Sequence, residues 1–239
     1  MVLHNLSIVI PTLGGIELQN TIESINHSSH QPMEIILSFP RSSKKDCLEF
    51  PVQKNIKVIY FSEKGQVHQR IAGFNATKTR YVIHMDSDMR VNESTIFNLY
   101  NLITMMPDNV AIAPILRDFA TDLDIFTYNN LYFNEYSKFV TPHTRSRKFF
   151  NYFIHGKTSF LEGEITNIGI NIPVCSSHDQ TLIEAEWLPG GLVIHNKKNL
   201  LTNLYFPFPG KAYAEDLIHS YILKKNGVKL YVTPVASAY

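Results

Sequence analysis

Asp86-Ser87-Asp88 places two carboxylates one residue apart, directly after the apolar, β-rich run Tyr81-Val82-Ile83-His84-Met85. Hard oxygen ligands at the mouth of a sheet are what a divalent cation needs if it must also meet a phosphate. By itself the pair is equally an acidic turn at a strand end, where Asp is common. A second pair, Glu215-Asp216, opens a segment with apolar residues at helical spacing, Leu217, Ile218, Tyr221 and Ile222. A carboxylate there can serve as general base toward a hydroxyl, or both acids can simply favour a helix dipole.

The surrounding elements have to bring these acids to one place. Leu6 to Ile10 reads as a strand stopped by Pro11, and Ile16, Leu18, Ile22 and Ile25 follow at helical spacing. Further strands are predicted over Glu34 to Leu37, Ile56 to Phe61 and Tyr81 to Met85, with a helix over Val67 to Ala76. Asn92 is an expected N-cap for a helix carrying Ile96, Leu99, Leu102 and Ile103 and ending near Pro107, before a strand over Val110 to Ala113. From about residue 116 through His178 the rhythm gives way to Asn, Tyr, Phe and Thr. This stretch reads as an elaboration on the sheet. The pattern resumes at Glu186 to Ile194, a helix from Glu215 stops at Gly227 as its C′ glycine, and a last strand over Val228 to Val232 is closed by Pro234. Alternating strands and helices call for an α/β fold with a central, mostly parallel sheet.

With 239 residues, a hydrophobic fraction of 44% and a net charge of +1, the chain has the composition of an ordinary globular protein. No global field argues for a nucleic-acid partner. Cys47 and Cys175 fit neither a disulfide framework nor a zinc site. No signal peptide or membrane span is expected, and a cytoplasmic, reducing home fits, at most peripheral on the inner face of the cell membrane.

The order of these signals resembles family 2 glycosyltransferases. Ser7-Ile8-Val9-Ile10-Pro11-Thr12, the Gly65 to Gly73 segment with Gln69-Arg70, Asp86-Ser87-Asp88, Gly190-Gly191 and Glu215-Asp216 fall in the family's order along almost the whole chain. The resemblance implies a single GT-A-type, Rossmann-like sandwich over residues 1–239, with 1–115 holding the nucleotide-sugar and 116–239 the acceptor. It implies a nucleotide-sugar donor, UDP-linked by first preference, whose diphosphate is bridged by Mn2+ or Mg2+ to a DxD pair. In that pattern Asp88 is the firmer metal ligand and Asp86 with Ser87 serves the nucleotide side. Asp216 is the base of an inverting displacement, with Glu215 beside it at the sugar. Pro11 and Thr12 shape the base pocket, Arg70 lies near the donor's charge, Gly190-Gly191 lets backbone approach the sugar or acceptor, and Trp187 offers a stacking face. Each also has a plain structural reading: strand end, exposed helix arginine, turn, core tryptophan.

Two departures from the family pattern stand out. The second strand runs into Ser38-Phe39-Pro40 where relatives carry an aspartate, leaving Ser38 as the nucleotide contact. Relatives also carry a histidine just after the last strand, whereas this sequence stops at Tyr239; either it is truncated there or the ion relies on other ligands, with His178 and His195 as conceivable substitutes. Arg145, Arg147 and Lys148 precede Phe149, Phe150, Tyr152, Phe153 and Ile154. That segment suits either an anionic membrane surface carrying a lipid-linked acceptor or a partly buried helix with a charged flank. The competing readings are a sugar-phosphate nucleotidyltransferase, poorly matched because Gly14-Gly15 has no base nearby, and a non-catalytic nucleotide- or carbohydrate-binding domain.

Overall fold

A computed structural model describes residues 1–42, 54–63, 65–123, 144–167, 169–174, 179–206, 212 and 214–239, without the side chains of Arg147 and His155. Cys47, Cys175 and His178 lie outside the described residues. Eight strands form one sheet: β1 (Val2–Pro11), β2 (Gln31–Pro40), β3 (Ile56–Phe61), β4 (Tyr81–Met85), β5 (Val110–Leu116), β6 (Ile183–Ala185), β7 (Leu192–Asn196) and β8 (Lys229–Ala238). Five α-helices accompany them among the described residues: α1 (Ile16–Asn26), α2 (Gln66–Ala76), α3 (Thr95–Met105), α4 (Arg145–His155) and α5 (Glu215–Lys225). The strand order is β3-β2-β1-β4-β7-β5-β8-β6. β3, β2, β1 and β4 run parallel, as do β5 and β8, while β7 is antiparallel to β4 and β5, and β6 to β8.

The central strands are covered on both faces, which is why they read as near-continuous apolar runs. In β1 the two-residue period sends Leu6, Ile8 and Ile10 to one face, into a core with Leu18 and Ile22 of α1 and Leu99 and Ile103 of α3. Val9 points to the other face and meets Phe74 of α2, with Ile36 and Val82. Gly73 makes this approach possible, since a Cβ there would lie 2.2 Å from Val9 Cγ1. A further core on the same face as α2 joins Leu223 of α5 to Ala111, Val193, Leu230 and Val232.

This topology gathers the predicted motifs at one edge. The carboxyl ends of β1, β2 and β4 lie together because these strands are parallel. β5 ends at the same edge, because β4 and β5 are both antiparallel to the intervening β7. Pro11-Thr12, Ser38, Asp86 to Asp88 and the segment after Leu116 therefore all emerge there, where open α/β sheets bind ligands.

Several details differ from the sequence reading, and β1, β2, β5 and β8 are longer than expected. Asn92 does not cap α3 directly; Ser94 holds that position, and Asn92 Oδ1 accepts bonds from Ser94 N–H at 3.2 Å and Thr95 Oγ1 at 2.6 Å. Pro234 does not close the last strand. The β5–β8 register slips between Pro114 and Ile115, opposite Thr233 and Ser237, so that the proline without an N–H sits in an irregularity and pairing resumes to Ala238. Within the irregular middle, α4 is a regular helix. Gly227 is the C′ glycine as expected, with φ +81° and its N–H donating to the Lys224 carbonyl at 2.9 Å.

Candidate active site

β4 ends at the middle of the sheet, and the chain turns immediately. Asp86 N–H donates to the Gly191 carbonyl at 2.8 Å, Met89 N–H to the Asp86 carbonyl at 3.3 Å, and Thr21 Oγ1 to the Ser87 carbonyl at 2.9 Å. The Asp86 Oδ1 atom accepts from Gln66 Nε2 at 2.9 Å and from Arg70 Nη2 at 3.1 Å. Burial pushes the Asp86 carboxyl above its ordinary value, against the pull of Arg70 and Gln66. Asp88 is exposed, and among the described residues none bonds or pairs with its carboxylate.

Arg70 ties the two acidic motifs together. It is 1% exposed, and its Nη1 donates to Glu215 Oε2 at 2.7 Å while Nη2 holds Asp86. The planar fork of a guanidinium can span two carboxylates in this way, and an ammonium cannot. Burial alone would favour the neutral form, but Glu215 and Asp86 outweigh it and keep the group charged. The other Glu215 oxygen, Oε1, accepts a bond from the Tyr205 hydroxyl, whose proton is held more firmly than usual, chiefly by burial. Arg70, expected at the donor, is thus enclosed and engaged by two protein carboxylates. Glu215, expected at the sugar, is 4% exposed and bound to Arg70 and Tyr205.

Asp216 follows at the first turn of α5 and is partly exposed. Its Oδ1 accepts the Leu217 N–H at 3.0 Å, and its carboxyl is raised by burial and by Glu215, against that N–H. The residue before the pair, Ala214, has φ +57°, a left-handed conformation that costs a non-glycine residue about 1 kcal/mol. Gly190 and Gly191 lie between the two motifs. A Cβ on Gly190 would come within 3.1 Å of Asp216 Cβ, and one on Gly191 within 2.9 Å of Met89 Sδ. The close approach expected of these glycines is used, at least in part, by the protein itself.

At the neighbouring strand ends, Gln69 Nε2 bridges the carbonyls of Thr12 at 2.8 Å and Ser38 at 2.7 Å, and Thr12 N–H donates to Ser38 at 3.0 Å. Pro11 and Thr12 are buried, with Thr12 Oγ1 accepting the Gly14 N–H at 2.9 Å. The Ser38 hydroxyl is buried with no partner among the described residues. Trp187 is 4% exposed and its indole N–H donates to the Ile172 carbonyl at 2.9 Å, so the stacking face expected of it is covered by protein.

Beneath this site lies a cluster that the sequence reading missed: His84 of β4, His195 of β7 and His219 of α5. All three are buried, with ring centroids 5.1 to 5.6 Å apart. His195 Nε2 and His84 Nδ1 share a hydrogen bond at 3.1 Å, and His84 Nε2 lies 3.2 Å from the Gly190 carbonyl. Burial and the nearby Arg70 charge hold these imidazoles neutral, with His219 lowered to about 3. His195 is therefore a core residue paired with another histidine, which removes it as a free metal ligand. The period of β4 and β7 places two of these rings on one face, but α5 supplies the third, and no local signal announces that. Gln66 and Tyr205 were missed for the same reason.

Residues 7–163 match the sequence description of glycosyl transferase family 2, well over half of the chain. The chain belongs to this family. No curated protein sequence matches it. Among solved structures, this chain is similar to GalNAc-T7 crystallised with UDP, GalNAc and Mn2+, with a TM-score of 0.60 and 17% sequence identity. The match covers 98% of this chain but only 42% of that one, and it shows a shared GT-A-type fold.

The residues present fit a divalent cation. Among the described residues there is no cluster of three or more His, Cys, Asp and Glu able to enclose a metal. Mg2+ or Mn2+ bound through one or two carboxylates, phosphate oxygens and water needs no such cage. The exposed Asp88 carboxylate, with Asp86 fixed two residues away, offers that open arrangement.

Proposed function

We propose that this family 2 glycosyltransferase is an inverting, metal-dependent enzyme. It moves a sugar from a nucleotide-diphosphate donor, UDP-linked by first choice, to a hydroxyl of a saccharide or lipid-linked saccharide acceptor. The observation that carries this reading is the Arg70 bridge, which holds the Asp86 turn and the start of α5, and so the Asp88 and Asp216 side chains, at one edge of the sheet. The UDP and Mn2+ crystallised with GalNAc-T7 support the choice of donor nucleotide and metal.

In this reading Asp88 holds Mn2+ or Mg2+, with Asp86 and Ser87 on the nucleotide side and Pro11, Thr12 and Ser38 lining the base pocket. The bound cation supplies neutralisation of the charge that develops on the departing diphosphate. Asp216 accepts the proton of the acceptor hydroxyl as its oxygen forms a bond to the anomeric carbon. The anomeric carbon–phosphate oxygen bond breaks on the opposite face, so configuration inverts and the nucleoside diphosphate leaves. A raised carboxyl is a stronger base than an ordinary aspartate, which suits this task. Arg70 acts behind the site by fixing Asp86 and Glu215, and Gly190-Gly191 keeps the space between the motifs narrow. By analogy within the family, the proposed setting is surface-polysaccharide assembly in a bacterium, with the chain in the cytoplasm at the inner membrane face.

Thermal shift with UDP, GDP and dTDP, each with and without Mn2+, tests the reading. Stabilisation by UDP that requires the metal is expected. If no nucleotide gives a metal-dependent shift, the transferase mechanism as written is wrong.

A further inference from the structure

Helix α4 turns its apolar face outward. Phe149, Phe150, Tyr152 and Phe153 are 71%, 58%, 61% and 81% exposed, whereas Asn151 is 2% exposed. Asn151 is two residues from both Phe149 and Phe153, about 160° around the helix axis from each. The polar side chain thus faces the protein and the aromatic arc faces solvent, the reverse of an ordinary surface helix. The sequence alone favours a partly buried helix with a charged flank; in the structure the buried residue of α4 is Asn151 and the aromatic arc is the exposed part.

Charge identifies the occupant of that face. From Thr144 to Leu161 the sequence has no acidic residue, while Arg145, Arg147, Lys148 and Lys157 are basic, in a chain whose net charge is only +1. Arg145 and Lys148 are exposed at the start of the helix, beside the aromatic arc. A protein partner would have to cover four aromatic rings and supply acids to the same small patch. An anionic lipid surface meets both needs at once, because rings settle at the headgroup boundary and Lys and Arg reach the phosphates above them. Among the described residues no helix is long and apolar enough to cross a membrane, so the contact is peripheral.

We infer that α4 docks this enzyme on an anionic lipid surface, with the Phe149, Phe150 and Phe153 rings inserted and Arg145 and Lys148 at the headgroups. The segment carrying α4 leaves the sheet at the carboxyl end of β5, the edge that also carries Asp86 to Asp88. The docking does not depend on the transferase reading above.

Flotation with vesicles of equal parts phosphatidylcholine and phosphatidylglycerol, against phosphatidylcholine alone, tests the inference on the intact chain. Binding to the anionic vesicles only, falling with added salt, is expected. Phe149→Ser/Phe153→Ser removes it, and Arg145→Glu/Lys148→Glu weakens it by at least about thirtyfold, from the contribution of each basic residue near an anionic surface. Both variants keep the parent's melting temperature and its nucleotide-dependent shift, because the replaced side chains are exposed. Failure of the parent to bind either vesicle overturns the inference. So does concentration-dependent self-association that Phe149→Ser/Phe153→Ser abolishes, since the face would then be buried between copies. A failed nucleotide shift with intact vesicle binding would sink the transferase mechanism and leave the docking helix standing.

Discussion

Replacing Arg70 by methionine keeps most of the buried volume but removes the charge that links Asp86 to Glu215. Glu215 is 4% exposed, so its carboxylate would be left in the interior with the Tyr205 hydroxyl as its remaining described partner. Removing one member of a buried ion pair costs about 3–5 kcal/mol. Arg70 Nε is buried without a partner among the described residues, and losing that group returns part of the cost, so the lower end is expected. At roughly 2–4 °C per kcal/mol for a chain of this size, the melting temperature should fall by about 6–12 °C. Arg70→Lys keeps the charge but not the fork. It should lose one charge-assisted bond, about 1.5–3 kcal/mol, and with it the simultaneous hold on both acids. The double variant Arg70→Met/Glu215→Gln removes the stranded charge and should recover part of the loss, a coupling that a double-mutant cycle reads directly. Calorimetry or urea unfolding measures the series. An Arg70→Met protein that melts within a degree or two of the parent would refute the clamp. A double variant less stable than Arg70→Met would show that packing, not charge, explains the loss.

The two remaining acids should separate cleanly. Asp216→Asn is expected to abolish transfer while leaving metal-dependent nucleotide binding nearly intact, whereas Asp88→Ala weakens that binding itself; near-normal turnover in Asp216→Asn would exclude it as the base. Because the Asp216 carboxyl is raised, activity should be lost on acidification above the ordinary carboxylate value near 3.8, visible as the acid limb of the kcat/KM profile. Stability should also fall with acid. His84, His195 and His219 are held neutral in the fold, so stability present above about pH 6.5 is lost as pH falls and the unfolded chain takes up protons the native state refuses. Three such groups contribute a loss of roughly 4 kcal/mol between about pH 7 and 5.5, offset in part by the raised carboxyls of Asp86 and Asp216. Urea midpoints that stay level across that range would count against the buried cluster.

Much of this protein is written locally. The run Tyr81 to Met85 followed by two acids, the strand Ile56 to Phe61 and the stop at Gly227 depend on side-chain period and backbone preference within a few residues. The sequence read them within a residue or so of the structure. Pro234 misled because a proline's missing N–H can end a strand or sit in a bulge, and only the partner strand β5 decides which. What tertiary structure alone decided is longer in range. Arg70 meets a carboxylate 145 residues away, and three histidines from β4, β7 and α5 share one pocket. No local pattern encodes such meetings, because they follow from which strands lie side by side. The same holds for α4. Its sequence determines that one face is aromatic, but a helix period is silent on which face looks outward, and that was settled by Asn151 packing against the protein while the rings stayed in solvent.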